Sequence, residues 1–268
     1  MGVKSPYFKN RGKKGKSVVM IRAFLSFSTL VYAFAAFGVV LLIVFALAGG
    51  ELPAVFVWAR NTALVLILVV VGIFGFSHYN APWRMLWRRF PVLNQWVFPD
   101  LNGLWLGETR SNWSKIDAMR KAAAADETIS DSELEAIALQ SGAIAFQIKA
   151  HWFGIKIKTK TEAVNGNAVA NDVTPSRGIR GRDFELAYIY DQNTPQPVAT
   201  DEGNHIGAAT LEAKVGDELA LEGEYWTRRS WAQGLNTAGL LKLTRVTDHH
   251  VSAIADLLDE AKKIDGQR

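Results

Sequence analysis

The chain has 268 residues, a formal net charge of +4 and 49% hydrophobic residues, which excludes a disordered chain. It contains no cysteine, and this excludes a disulfide framework, a thiolate metal site and a cysteine nucleophile. Residues 1–100 carry a balance of +9 and residues 101–268 a balance of −5, so the two parts differ in character and the overall basicity is no argument for binding a DNA or RNA polymer.

Two long uncharged stretches predict a transmembrane hairpin. Ala23–Gly50 contains 28 consecutive residues without a charge, and about 20 helical residues suffice to cross a hydrocarbon core of about 30 Å. A second uncharged stretch runs over Asn61–Trp83, after a short connector at Gly49–Arg60. We therefore predict two antiparallel transmembrane helices over residues 23–83, preceded by a basic arm over residues 1–22.

The distribution of charge predicts the orientation of this hairpin. Seven Lys or Arg and no acid precede the first stretch, and three Arg follow the second. By the positive-inside rule both chain ends lie in the cytoplasm. A nucleic-acid-binding arm is the alternative interpretation of the basic residues. The two stretches hold no carboxylate or Lys, so we expect no proton relay. Two short spans cannot enclose a pore within one chain, so any change in membrane permeability requires an oligomer.

The remaining sequence predicts a small barrel after a juxtamembrane linker at residues 84–100. Residues 101–246 alternate apolar and polar side chains, as in antiparallel strands with one buried face. The predicted strands lie near 103–111, 143–152, 154–163, 167–174, 183–191, 206–213, 218–229 and 237–246. They form an all-β, about eight-stranded antiparallel, lipocalin-like barrel, with room for one small ligand at an end. An insert at residues 113–142 is expected to form one or two helical turns on its rim.

The tail at residues 247–268 predicts a short C-terminal helix. Its apolar residues recur at helical spacing, with Ser252 as the expected N-cap; they are Ile254, Leu257, Leu258, Ala261 and Ile264. The helix packs either on its own barrel or on a second subunit.

No motif of a known catalytic constellation occurs in the sequence. HExxH, GxSxG, a P-loop and GxGxxG are all absent, so we expect no enzymatic activity and no catalytic residue. His249 and His250 are adjacent near the C-terminus, where histidines are usually solvated, and we expect no metal site.

Aromatic and basic residues on predicted inward faces suggest a ligand instead. Tyrosine rings stack on nucleobases, Arg pairs with phosphate, and hydroxyls bind ribose or phosphate oxygens. The candidates are Tyr188, Tyr190, Tyr225, Thr227 and Arg229 on strands, with Ser176 and Arg177 in a Pro-Ser-Arg-Gly loop. The alternative is that inward tyrosines only fill the barrel core.

Trp105 and Arg245 are interpreted as structural residues. They lie on the first and last strands, which are neighbours in a closed barrel. Stacking of Arg245 over the Trp105 indole would close one end, as in the Gly-x-Trp and Arg pairing of lipocalins.

The order of short motifs after the hairpin resembles the two-transmembrane, β-barrel effectors of CBASS antiphage defence, the CD-NTase-associated cyclic-nucleotide receptors. These motifs are Pro99-x-Leu101-Asn102-Gly103-x-Trp105-x-Gly107, a Gln147 strand ending in Trp152, Leu186-x-Tyr188-x-Tyr190 before Pro195, His205-x-Gly207 before Leu211, Leu221-x-Gly223-x-Tyr225-x-Thr227-x-Arg229, and Thr237-x-Gly239-x-Leu241-x-Leu243-x-Arg245.

The resemblance implies a function. A nucleotidyltransferase makes a cyclic dinucleotide on phage infection; the barrel binds it, the spans oligomerise, and the bacterial inner membrane is disrupted and the cell dies. The implied partners are that cyclic dinucleotide, the lipid bilayer and further copies of the chain, with no cofactor. By position, the tyrosines with Thr227 and Arg229 are the implied ligand contacts.

Two departures from the family bear on nucleotide specificity. Asn165–Ala170 replaces a serine-rich stretch, and the insert and Trp231–Leu235 lengthen the rim. A membrane-tethered carrier of an apolar ligand, and a structural anchor that recruits a partner through its insert and tail, are the alternatives.

Overall fold

The computed structural model describes residues 52–162, 165–170, 173–177, 184–216, 219–251, 253 and 256–266, with isolated residues between 36 and 47. The predicted basic arm at 1–22 lies outside the described residues, as does most of the first predicted span at 23–50.

The first helix, α1 (Leu52–Phe74), overlaps the second predicted span but has different ends. It starts within the predicted connector, and Pro53 stands at its second position, where a missing N–H breaks no helical hydrogen bond. Side chains along it expose apolar surface, among them Val65 at 58% and Leu68 at 70%. Across the described ranges, no helix combines the length and the apolar character needed to cross a membrane.

The linker folds into two short helices, α2 (Pro82–Arg89) and α3 (Leu93–Trp96). On α2, Trp83, Arg84 and Trp87 are buried. Their spacing of one and four residues places them on one helix face, and this face packs against one end of the barrel.

Nine strands form one antiparallel sheet that closes on itself. In chain order they are β1 (Gly103–Ser111), β2 (Gln140–His151), β3 (Gly154–Thr161), β4 (Asn167–Ala170), β5 (Val173–Arg177), β6 (Phe184–Asn193), β7 (Asn204–Val215), β8 (Leu219–Thr227) and β9 (Ala238–Thr247). The sheet order is β4-β3-β2-β1-β9-β8-β7-β6-β5, and β4 also pairs with β6. Since β4 and β5 both pair with β6, they share one position, and the predicted closed eight-stranded antiparallel barrel is confirmed.

Alternation along each strand separates the core from solvent. On β3, Ile155 and Ile157 are buried inside while Lys156 is exposed. The interior is filled by aliphatic and aromatic side chains such as Phe146 and Leu211. Burial of such a side chain contributes about 1.5–3 kcal/mol, so this interior provides most of the stability.

Two helices lie in the insert, α4 (Trp113–Ala124) and α5 (Asp131–Ala136). The prediction of helix in the insert is confirmed, but the predicted length of one or two turns is too short, because α4 alone has 12 residues. The α5 helix begins with a capping box in which Ser130 and Glu133 satisfy each other's backbone N–H.

The tail helix, α6 (Leu257–Asp265), packs on its own barrel. Leu257, Leu258 and Ala261 form a buried cluster with Leu104 and Ala145 of β1 and β2. The sequence left open whether this helix packs on its own barrel or on a second subunit, and in the structure it packs on its own barrel. Asp256 stands at the N-cap position, whereas the predicted Ser252 lies outside the described residues.

Candidate ligand-binding site

One end of the barrel is closed by a buried polar network. The Arg84 guanidinium donates to the Asp100 carboxylate at 2.7 Å, and Asn102 donates to the same carboxylate at 2.7 Å. Asn102 also exchanges two hydrogen bonds of 2.8 Å with the Ala150 backbone. Arg245 donates to the Asp100 carbonyl at 2.7 Å. Every partner here is hydrogen-bonded, as a buried charge requires.

Trp105 and Arg245 lie at this closed end, where the sequence placed them. They face each other across β1 and β9. The Trp105 side chain is fully buried, and its indole N–H donates to the Leu101 carbonyl at 3.1 Å. Stacking of the Arg245 guanidinium on the indole stays a prediction.

At the opposite end the barrel holds a cavity of about 270 Å³. Its floor is apolar and includes Ile144, Phe146 and Ile157. Towards the mouth the lining becomes polar, with hydroxyl groups from the five strands β1, β2, β3, β6 and β8 and from the segments before β7 and β9. Five of the seven predicted ligand residues line it: Tyr188, Tyr190, Tyr225, Thr227 and Arg229.

Glycines opposite two of the tyrosines provide space for the rings. Tyr190 faces Gly207 across β6 and β7, and a Cβ on Gly207 would overlap the Tyr190 ring. Tyr225 faces Gly239 across β8 and β9, and a Cβ there would lie 2.9 Å from the Tyr225 ring. Each ring therefore occupies space that a side chain at the facing glycine would fill.

Burial keeps the three tyrosines neutral. It raises the pKa of Tyr188 and of Tyr190 well above the ordinary range, and each is raised further by its tyrosine neighbour. Burial also raises the pKa of Tyr225, although a hydrogen bond with Ser111 opposes it. The Tyr188 and Tyr190 rings lie 6.2 Å apart, too close for a base to enter between them. Each hydroxyl can donate to an anionic or carbonyl oxygen.

A charged cluster stands at the mouth. One Arg229 nitrogen, Nη1, lies 3.4 Å from Oδ1 of Asp201, and their side chains are 12% and 1% exposed. Arg229 Nε and Nη2 and Asp201 Oδ2 are buried without a hydrogen-bond partner. The guanidinium also lies over the Trp113 ring, 4.7 Å from its centroid. Two guanidinium nitrogens of Arg229 therefore have no hydrogen-bond partner within the protein, and such a pair can bind an anion in the bidentate manner.

His205 completes this cluster. Burial lowers the pKa of His205, and Arg229 lowers it further, while the Asp201 and Glu202 carboxylates oppose these effects. Its Nδ1 is buried without a partner. A neutral imidazole beside the guanidinium can accept or donate one further hydrogen bond to a ligand.

Some lining residues were not predicted. Trp113 comes from the insert and Asp201 from the loop before β7. Thr159 and Thr161 also line the cavity. The alternation that placed Ile155 and Ile157 inside β3 extends to these two threonines, so the signal for them was in the sequence.

Ser176 is not among the described residues that line this cavity, and Arg177 follows it on the same strand. They are part of β5 rather than a loop, and they pair with Glu185 and Phe184. Phe184 contacts Phe98 near the closed end, with ring centroids 5.3 Å apart. The predicted Pro-Ser-Arg-Gly loop was wrong over residues 175–177, because pairing with β6 holds them extended as part of β5 despite the proline.

Comparison with known proteins finds a distant relative of this chain. The chain is 28% identical over 186 residues to CD-NTase-associated protein 15 of Escherichia albertii, and the match covers 68% of this chain and 77% of that protein. No protein-family model matches the chain.

Proposed function

We propose that this protein is a membrane-anchored effector of CBASS antiphage signalling, whose barrel binds a cyclic dinucleotide made by a CD-NTase. Similarity to a CD-NTase-associated protein supports the class of system. The observation that carries the ligand is the cavity, where tyrosine rings and an Arg with two unpaired N–H groups are buried together. Aromatic faces and a guanidinium are the groups that bind a base and its phosphate.

The cavity volume sets how such a ligand would lie. About 270 Å³ is near the lower end of the usual range for small-molecule sites, roughly 300–1,000 Å³. One nucleotide unit would lie inside with its phosphate on Arg229, and the other would project from the mouth. A projecting unit is exposed to a second barrel, which would link binding to oligomerisation.

In this proposal the apolar segment at 23–50 and the apolar helix α1 anchor the barrel at the inner membrane, with both termini in the cytoplasm. Ligand binding would favour an assembled state only by its higher affinity for that state. Assembly of the anchors would then permeabilise the bilayer. The chain acts as a receptor, and we propose no catalytic step.

The experiment is a thermal-shift measurement on the full chain with a panel of cyclic dinucleotides. At least one should raise the melting temperature, and Arg229→Ala should weaken that ligand about 10- to 100-fold, since a hydrogen bond to a charged group contributes about 1.5–3 kcal/mol. Arg228→Ala is the matched control, because Arg228 immediately precedes Arg229 in the chain and is exposed. The same ligand should release dye from liposomes holding the protein. No shift with any member of the panel would contradict the proposal.

The apolar floor favours one alternative, a carrier of an apolar ligand. In that case lipid would copurify in the barrel, and delipidation rather than a nucleotide would change the melting temperature. Mass spectrometry of an organic extract distinguishes the two functions.

A further inference from the structure

The face of the linker that points away from the barrel is unusually apolar. Because Trp83, Arg84 and Trp87 of α2 are buried against the closed end, the other face of α2 is left outside. Exposed apolar side chains continue through the linker; they are Phe76, Met85, Leu86, Phe90, Val92 and Trp96, each between 42% and 71% exposed. This surface, here named the basal platform (residues 76–96), is of the kind that marks an interaction site.

Basic charge accompanies this apolar surface. Residues 75–99 contain Arg84, Arg88 and Arg89 and no Asp or Glu. The charge of Arg84 is neutralised by its buried ion pair with Asp100, whereas Arg88 and Arg89 are exposed. Asp248 lies 3.7 Å from Arg88 and offsets part of its charge. The platform therefore combines Trp, Phe and aliphatic groups with net positive charge.

The platform is joined rigidly to both the apolar helix α1 and the barrel. The carbonyl of Phe74, the last residue of α1, accepts from the Trp152 backbone at 3.0 Å, and the Phe74 and Trp152 rings lie 4.6 Å apart. The Trp83 indole donates to the Phe76 carbonyl at 2.7 Å, and the Trp87 indole to the Phe98 carbonyl at 2.7 Å. The platform continues directly from the apolar surface of α1, at the closed end of the barrel.

We propose that the basal platform docks on the anionic headgroup region of a lipid bilayer. Exposed Trp and Phe prefer the boundary between headgroups and acyl chains, and Arg adds attraction to anionic lipids. Binding of an apolar protein partner would not require the arginines, and a basic protein partner would be repelled by them. Docking turns the closed end to the membrane and points the cavity mouth, at the other end, towards the cytoplasm. The inference rests on the proposed function only for the anchor, and it needs no nucleotide.

The absence of cysteine makes a direct test possible in the full chain. A single Trp96→Cys substitution is labelled with an environment-sensitive fluorophore, and Gln95→Cys provides a second labelling position that is also exposed. The control is Trp231→Cys, because Trp231 is 61% exposed on the short turn at the mouth end. Each protein is reconstituted in phosphatidylcholine vesicles and in vesicles with one third phosphatidylglycerol, without nucleotide.

The label at position 96 should enter an apolar environment in the phosphatidylglycerol vesicles and return to water at high salt, while the label at position 231 stays in water. Arg89→Gln should weaken docking about fivefold, the effect of one cation near an anionic surface. Equal responses in both kinds of vesicle, no response in either, or burial that follows protein concentration rather than lipid would overturn the proposal. Thermal stabilisation by a nucleotide is measured separately, so its failure would concern the cavity and not the platform.

Discussion

Neutralising Asp201 should make the barrel bind an anionic ligand more tightly. The Asp201 carboxylate occupies one side of the Arg229 guanidinium, at 3.4 Å, and leaves Nε and Nη2 for a ligand. A phosphate on those two nitrogens would lie roughly 6 Å from the carboxylate, a distance set by the size of the guanidinium. The carboxylate therefore holds the guanidinium in place and also repels an anionic ligand bound to it.

The size of the effect follows from these positions. Two like charges about 6 Å apart repel by about 3 kcal/mol at an effective dielectric constant of about 20, and solvent at the mouth reduces this to about 1–2 kcal/mol. Asp201→Asn removes the charge while its side-chain oxygen still accepts from the Glu202 backbone N–H, a bond of 2.9 Å in the parent protein. The dissociation constant should fall about 5- to 30-fold.

The assay is a calorimetric titration of the full chain and of Asp201→Asn with the cyclic dinucleotide that stabilises the parent most. Glu202→Gln is the matched control. Glu202 is the adjacent acid, and its carboxylate accepts from the Ser230 backbone at 2.8 Å rather than from Arg229. Unchanged or weaker affinity in a folded Asp201→Asn protein would refute the view that Arg229 binds the phosphate.

Three further outcomes concern the cavity wall, the closed end and the tail of the barrel. Gly207→Ala should push the Tyr190 ring into the cavity, destabilising the fold by about 1–3 kcal/mol and abolishing most ligand affinity; normal binding in calorimetry would contradict the described wall. Asp100→Ala leaves the Arg84 guanidinium buried without its carboxylate and should cost about 3–5 kcal/mol in urea unfolding, while a loss below 1 kcal/mol would show that the network relaxes. Burial, with smaller effects of nearby cations, lowers the pKa of His250 to about 4, so the unfolded chain takes up this proton first as the pH falls through about 6.5. After a discount for the partial solvent exposure of this ring, stability should drop by about 2 kcal/mol between pH 6.5 and 4, and His250→Asn should abolish that part of the pH dependence in urea unfolding.

The sequence predicted those features that are local in the chain. Alternation with a period of two assigns Tyr225 and Thr227 to one face of β8, and the pairing of β8 with β7 and β9 turns that face inward. Arg229 follows at the same spacing, two residues beyond the end of β8. The same pattern predicted an antiparallel barrel with eight strand positions, whereas the structure divides the predicted strand at 167–174 between β4 and β5. Each of these inferences needs only neighbouring residues and the geometry of a strand.

Contacts between distant segments were not predictable in this way. Trp113 and Asp201 meet Arg229 from the insert and from a loop, neither of which has a period that fixes where a side chain points. Arg84 was interpreted only as a topological charge, whereas the fold buries it with Asp100. Such a pairing depends on how the linker closes the barrel.

The residues at which helices and strands begin and end were less predictable than the presence of these elements. The charge of Arg60 set the start of the second predicted span at Asn61, but an exposed guanidinium is compatible with a helix, and α1 begins earlier and continues through Arg60. Pro175 marked a predicted loop, yet it lies in β5 opposite Leu186. Proline removes one donor, and a strand tolerates this where the donor has no partner to lose.

The central claim is that the cavity beside Arg229 receives a cyclic dinucleotide. A crystal or cryo-electron structure of the full chain with the best-binding member of the panel tests it most directly. The account predicts nucleotide density in the barrel, with a phosphate oxygen within hydrogen-bond distance of Arg229 Nε or Nη2 and a base against Tyr190 or Tyr225. Density for the nucleotide on the outer wall, with the Arg229–Asp201 pair undisturbed and the cavity filled by lipid, would contradict it.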